Sequence, residues 1–125
     1  MKYLLLVLCG FVGLSVQAQV ADVDITKLSE KDLAGKFLVD VRTPDEYGEG
    51  HFAGALNLDS SEPDFLSQWK GIDKSTPVYV YCRTGKRSAR VTKSLDSLGF
   101  KEVYNLQGGY QAWEKEQAKK EKHKN

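Results

Sequence analysis

The chain has 125 residues, 41% of them hydrophobic, with 18 Lys and Arg against 17 Asp and Glu. That length suits one domain, and the near-neutral balance argues against nucleic acid or a membrane surface as the partner. The first residues read as a secretion signal: Met1-Lys2 is a short positive start, Tyr3 to Leu14 is apolar, and Val16 and Ala18 stand where a signal peptidase reads before Gln19. At the standard helical rise the apolar run spans only ~18 Å against about 30 Å of membrane hydrocarbon, which speaks against a transmembrane anchor. Cys9 lies too early, behind bulky Leu8, for a lipid-attachment site. Residues 1–18 are thus expected to be a cleaved signal peptide, 19–113 the domain and 114–125 a charged tail that frays into solvent. The expected location is the periplasm of a bacterial cell or the medium outside it. Cleavage removes Lys2 and brings the formal charge from +1 to zero. It also removes Cys9, leaving Cys82 as the only thiol, so no internal disulfide can form and the fold must stand on its core.

Within the domain, Asp22-Val23-Asp24-Ile25 reads as a short strand. Thr26 is placed to cap a helix through Leu33 that Gly35 closes. Phe37 to Val41 is a buried strand with Asp40 near its end. Pro44 suits the first turn of a short helix over Asp45-Glu46-Tyr47, which Gly48 and Gly50 break. Ala55 to Leu58 is another strand, and Phe65, Leu66 and Trp69 fall at helical spacing. Val78 to Tyr81 is the most strand-like run. Val91, Leu95 and Leu98 predict one face of a helix ended by Gly99. Val103 to Leu106 is the last strand, and Gly108-Gly109 opens a helix carrying Tyr110 and Trp113. Strands alternating with helices predict an α/β fold, a mostly parallel sheet with helices on both faces, whose ligands collect beyond the carboxyl ends of the strands. Asp40 and Cys82 both lie at such ends.

Cys82-Arg83-Thr84-Gly85-Lys86-Arg87-Ser88 carries the chemistry. A cysteine leaves an apolar strand and enters a basic, small and hydroxylic turn just before a helix. Cationic Arg83, Lys86 and Arg87, the N-terminal partial charge of the helix and inward N–H groups around Gly85 would each favour a thiolate. The same groups would hold a negative charge on a sulfur or a bound oxyanion.

Here the chain resembles the rhodanese sulfurtransferase family over nearly all of its mature length. Leu38-Val39-Asp40-Val41-Arg42, Glu46-Tyr47 and Gly50 to Asn57 resemble its first signature, with Phe52-Ala53 in place of the commoner Ile-Pro. Cys82 to Ser88 resembles its active-site loop, and Asn105 to Trp113 its C-terminal signature. The resemblance implies a single rhodanese-like domain and a ping-pong reaction. Cys82 would take the outer sulfur of a small anionic donor such as thiosulfate, becoming a persulfide. A thiol or cyanide acceptor, or a protein acceptor, would then remove it. It implies that N–H groups from Arg83 to Ser88 hold the persulfide, that Arg87 steers the donor's sulfonate, and that no metal or organic cofactor is required. Four residues separate Cys82 from Arg87, where related dual-specificity phosphatases carry five; that spacing favours sulfur over a phosphatase or arsenate reductase on the same scaffold. A non-enzymatic persulfide carrier that docks on a partner protein is the alternative of a different class.

Around the loop, Asp40 and Arg42 are read as supporting residues. Asp40 is expected to hold backbone N–H groups or pair with an arginine rather than to be catalytic, and Arg42 and Glu46 either to pair near the pocket mouth or to be ordinary surface charges. His51 is expected to order a turn rather than act as a base, and Trp69, Tyr110 and Trp113 to lie in the core.

Overall fold

The computed structural model describes residues 19–124 together with Gly10 and Gly13; the expected signal segment otherwise lies outside the described residues. Five strands form one sheet: β1 (Gln19–Asp24), β2 (Phe37–Asp40), β3 (Leu56–Asn57), β4 (Val78–Tyr81) and β5 (Glu102–Gln107). Their spatial order is β1-β5-β4-β2-β3, and every pairing is parallel. Three helices lie between strands, α1 (Glu30–Leu33), α2 (Pro44–Glu49) and α3 (Lys86–Ser97), and α4 (Gly109–Lys122) follows β5. The α/β architecture is the one expected, and the sheet is parallel throughout.

Side-chain alternation along the strands builds two cores, one per face. Val78, Val80 and Cys82 of the β4 segment, with Val39 and Val41, meet Val91 and Leu95 of α3 and the aromatic trio Phe65, Trp69 and Phe100. Trp69 is fully buried and meets both phenylalanines edge-on. On the opposite face Leu38, Tyr81 and Leu106 meet Ile25, Leu33 and Phe52, with Tyr110 and Trp113 of α4 packed against them. Phe52 makes edge contacts to Tyr81, Tyr110 and Trp113. β4 is therefore clamped from both faces, and its carboxyl end, where Cys82 emerges, is held by the packing of the whole domain.

Several elements differ from expectation for local reasons. The first helix does not run from Thr26 to Leu33. Asp24 accepts from Thr26 N and caps a 3-10 turn over Ile25–Lys27; the chain then extends at Leu28, and Ser29 and Asp32 form a reciprocal capping box that starts α1 afresh. β1 begins at Gln19 because its whole length pairs with β5. Leu98 and Leu66 are 38% and 44% exposed, so the buried face of α3 is Ser88, Val91, Thr92 and Leu95 instead. The expected tail is also helical: α4 continues from Trp113 through Lys122. Its last nine residues are mostly Glu, Lys, Gln and Ala, which favour a helix without a buried face, and Lys119, Lys120 and Lys122 in the last turn suit its C-terminal partial charge.

Candidate active site

Cys82 follows the last residue of the central strand, and its Sγ turns back into the bend formed by residues 83–88. Gly85 N donates to the sulfur at 3.1 Å and Ser88 N at 3.5 Å, and Ser88 Oγ lies 3.4 Å away. Gly85 supplies the bend with φ of +96°, and its carbonyl starts α3 by accepting from Ala89 N. Side-chain cysteine geometry of this kind opposes two effects. Burial, at 1% residual exposure, pushes the thiol up; the Ser88 hydroxyl and the N–H groups of Ser88, Gly85 and Thr84 outweigh it and leave the thiol below its ordinary value. The cations expected to do this stand apart from it: Arg83 and Lys86 are exposed, and Arg87 is engaged elsewhere.

The loop is held from behind by α4. Tyr110 N donates to the Cys82 carbonyl at 2.9 Å and Gln111 N to the Arg83 carbonyl at 3.0 Å. Two loop carbonyls are thereby turned toward a helix N-terminus while the loop's own N–H groups face the sulfur. The approach requires glycine. A Cβ on Gly109, at φ +71°, would overlap the Arg83 carbonyl and lie 2.6 Å from Thr84 N; one on Gly85 would lie 3.2 Å from Gly108 N. Gly108-Gly109 was read as a helix start; its second duty, bringing α4 against a loop some 25 residues earlier in the chain, was not legible from spacing.

Asp40 and Arg42 form a buried unit beside the loop. Arg42 donates from Nε and Nη2 to both Asp40 oxygens at 2.7–3.1 Å, its backbone N–H donates to Asp40 Oδ1, and Nη2 also reaches Gly50 O. Burial works against the Arg42 charge, and the bonds to Asp40 more than offset it. The guanidinium lies 4.7 Å from the Tyr110 ring and 5.6 Å from the Tyr81 ring. Burial first, and the Asp40 carboxylate second, hold the Tyr81 phenol far above its ordinary range, so it is neutral and accepts from Phe52 N. Asp40 thus holds a backbone N–H and an arginine, both structural duties. Arg42 neither pairs with Glu46 nor stands as a surface charge, the two alternatives read from the sequence; the two-residue step at the end of β2 brings it to Asp40. Tyr81 and Tyr110, neither expected beyond strand and core, are the walls of this unit.

Glu46 pairs with Arg87 instead, in a two-toothed contact of 2.8 and 2.9 Å. That pair outweighs burial, which pushes the other way, and takes the Glu46 carboxyl from 4.5 to about 2; it raises Arg87 in turn. Arg87 is therefore not a free cation awaiting a sulfonate. Two grooves flank the pair. One, about 350 Å³, runs from Arg87 past Arg90, Phe65 and Leu66; the other, about 380 Å³, runs from Glu46 past Arg42, Arg83 and Tyr110. Neither is lined by Cys82, so the sulfur lies at the bottom of the loop rather than in an open cleft. His51 Nδ1 donates to the Tyr47 carbonyl at 2.7 Å and the ring stacks on the Tyr47 ring, within the turn it was expected to order. No cluster of metal-ligating side chains occurs among the described residues, and no helix among them is long and apolar enough to cross a membrane.

Comparison with known proteins identifies the domain. Residues 24–116 match the model of the Rhodanese-like domain family. Thiosulfate sulfurtransferase 16, chloroplastic, of Arabidopsis thaliana is 37% identical over 105 aligned residues, spanning 76% of this chain and 88% of that one. Thiosulfate sulfurtransferase GlpE of Coxiella burnetii is 43% identical over 76 residues, spanning 61% and 69%. Among solved structures, a rhodanese-like domain protein from Staphylococcus aureus superposes with a TM-score of 0.65 at 27% identity, covering 74% of this chain and 90% of that one.

Proposed function

The chain belongs to the Rhodanese-like domain family, and from that premise we propose that it is a sulfurtransferase in which Cys82 carries the sulfur. The observation that carries the reading is the sulfur's set of donors: N–H groups and a hydroxyl converge on Sγ from a loop whose carbonyls are turned away. A thiolate is the state such a set favours. The thiolate attacks the outer sulfur of a donor such as thiosulfate; the new S–S bond forms as the donor's S–S bond breaks, and sulfite leaves with the electron pair. The charge then sits on the outer sulfur of the Cys82 persulfide, where the donors from residues 83–88 stabilise it as they would an oxyanion. A thiol or cyanide takes that sulfur in the second half-reaction and returns the thiolate.

Asp40, Arg42, Tyr81 and Tyr110 position the strand end and the α4 N-terminus and do not touch the transferred sulfur. The reaction draws on the chain's own residues alone. Export from a bacterial cell is a further part of the reading, supported by the pattern of residues 1–18; N-terminal sequencing of the envelope fraction starting at Gln19 would support it, and full-length protein in the cytoplasm would overturn it.

The test of the activity is steady-state thiocyanate production from thiosulfate and cyanide. Parallel double-reciprocal lines as both substrates vary, and loss of product in Cys82→Ser, are expected. A protein that loads sulfur once but never releases it to cyanide or small thiols would instead be a persulfide carrier.

A further inference from the structure

Among the described residues there are two ion pairs, and both neutralise arginines that border the Cys82 loop: Asp40 holds Arg42 and Glu46 holds Arg87. The second pair has an unusual economy. Arg87 stands one residue before Ser88, whose N–H and hydroxyl reach the sulfur. Glu46 comes from α2, 41 residues earlier, and its carboxylate is fixed there: Thr43 N and Oγ1 donate to Oε1 at 3.3 and 3.2 Å in the capping box that starts α2. Both terminal nitrogens of Arg87 face that anchored carboxylate. The pair also joins the walls of the two grooves that flank the loop. A donor approaching the sulfur from either side passes a guanidinium and a carboxylate together, not a lone cation.

We propose that Glu46 is a specificity-determining residue. By holding Arg87 in a neutral pair, it tilts donor choice away from dianionic thiosulfate and toward donors with one negative charge, such as organic thiosulfonates. The inference rests on the sulfurtransferase reading and names the donor class of that same site. Both donors give balanced reactions. With thiosulfate, the thiolate and a dianion yield the persulfide anion and sulfite. With a thiosulfonate, the thiolate and a monoanion yield the persulfide anion and a sulfinate, as the bond between sulfonyl and outer sulfur breaks and the sulfinate keeps its electron pair. The second reaction brings one charge fewer past Glu46.

The experiment measures second-order rates of sulfur loading on Cys82, by mass, with thiosulfate and with benzenethiosulfonate at low ionic strength. Glu46→Gln keeps the cap, because glutamine serves that position as glutamate does, and leaves Arg87 cationic. The thiosulfate-to-thiosulfonate rate ratio should rise on the order of fivefold in this variant, the scale of a partly exposed ion pair, and the gain should shrink as salt is added. Arg87→Gln leaves Glu46 unopposed and should move the ratio the other way. A variant that merely disturbs the loop slows both donors alike, so an unchanged ratio in Glu46→Gln, or a fall in it, overturns the inference. If the wild-type protein loads sulfur from neither donor, the sulfurtransferase reading falls and takes this inference with it.

Discussion

Replacing Gly109 by alanine tests whether α4 holds the Cys82 loop in place. The matched control is Gly35→Ala. Both glycines have positive φ, +71° and +76°, but a Cβ at Gly35 meets nothing within 4 Å, whereas one at Gly109 overlaps the Arg83 carbonyl and Thr84 N. The shared cost is the left-handed backbone, about 1–2 kcal/mol for a residue with a Cβ. At Gly109 the overlap is with backbone and can be relieved only by parting α4 from the loop. That forfeits the bonds from Tyr110 N to Cys82 O and from Gln111 N to Arg83 O, at about 1 kcal/mol each. The expected losses are thus about 1–2 kcal/mol for Gly35→Ala and about 3–4 kcal/mol for Gly109→Ala. Urea denaturation of the two variants beside wild type measures the difference. Sulfur loading by the folded fraction reports the loop: Gly35→Ala should load at the wild-type rate and Gly109→Ala much more slowly. Equal stability losses, with equal loading, would refute the idea that α4 positions the loop.

Three other outcomes follow from the same structure. Asp40→Ala leaves the buried Arg42 charge without its partner and should cost about 3–5 kcal/mol in denaturant titrations, far more than Asp96→Ala on the exposed face of α3. The pH profile of sulfur loading should have its midpoint below that of an ordinary thiol, and Ser88→Ala should move the midpoint up, since the Ser88 hydroxyl is the largest influence lowering Cys82. The depressed Glu46 carboxyl contributes stability that is fully present above its ordinary 4.5 and is lost as pH falls through about 2. Glu46→Gln should therefore flatten the acid limb of stability between those values; an unaltered acid limb would show that the pair does not persist in solution.

What was legible in the sequence was whatever lay in short apolar runs. Val78 to Tyr81 and Phe37 to Asp40 read as strands because both of their faces are buried, and their alternation with helical stretches gave the parallel sheet. The first helix misled because Asp24, two residues before Thr26, and Ser29, three after it, are competing start signals, and both are used. Residues 114–122 misled because the absence of an apolar stripe was taken as absence of helix, although propensity and terminal lysines sustain one. At the candidate site the loop's bend and its cysteine could be read from Gly85 and from the end of β4. Its two supports could not. Glu46 reaches Arg87 from 41 residues away, and Gly109 meets Arg83 only once β5 has returned beside β4. Local patterns carry no information about which distant charge or backbone will be a neighbour, so Arg42 and Glu46, close in sequence, read as a pair or as surface charges and not as partners of Asp40 and Arg87.

The measurement that bears most directly on the account is the intact mass of the protein after incubation with a sulfane donor, beside a Cys82→Ser control. Thiosulfate and benzenethiosulfonate would be used in parallel, with reductant removed before loading. The account predicts a gain of one sulfur atom on the native protein, reversed by cyanide and absent from the variant. A native protein that keeps its mass with both donors, while its Cys82 is shown to be reduced, would contradict it.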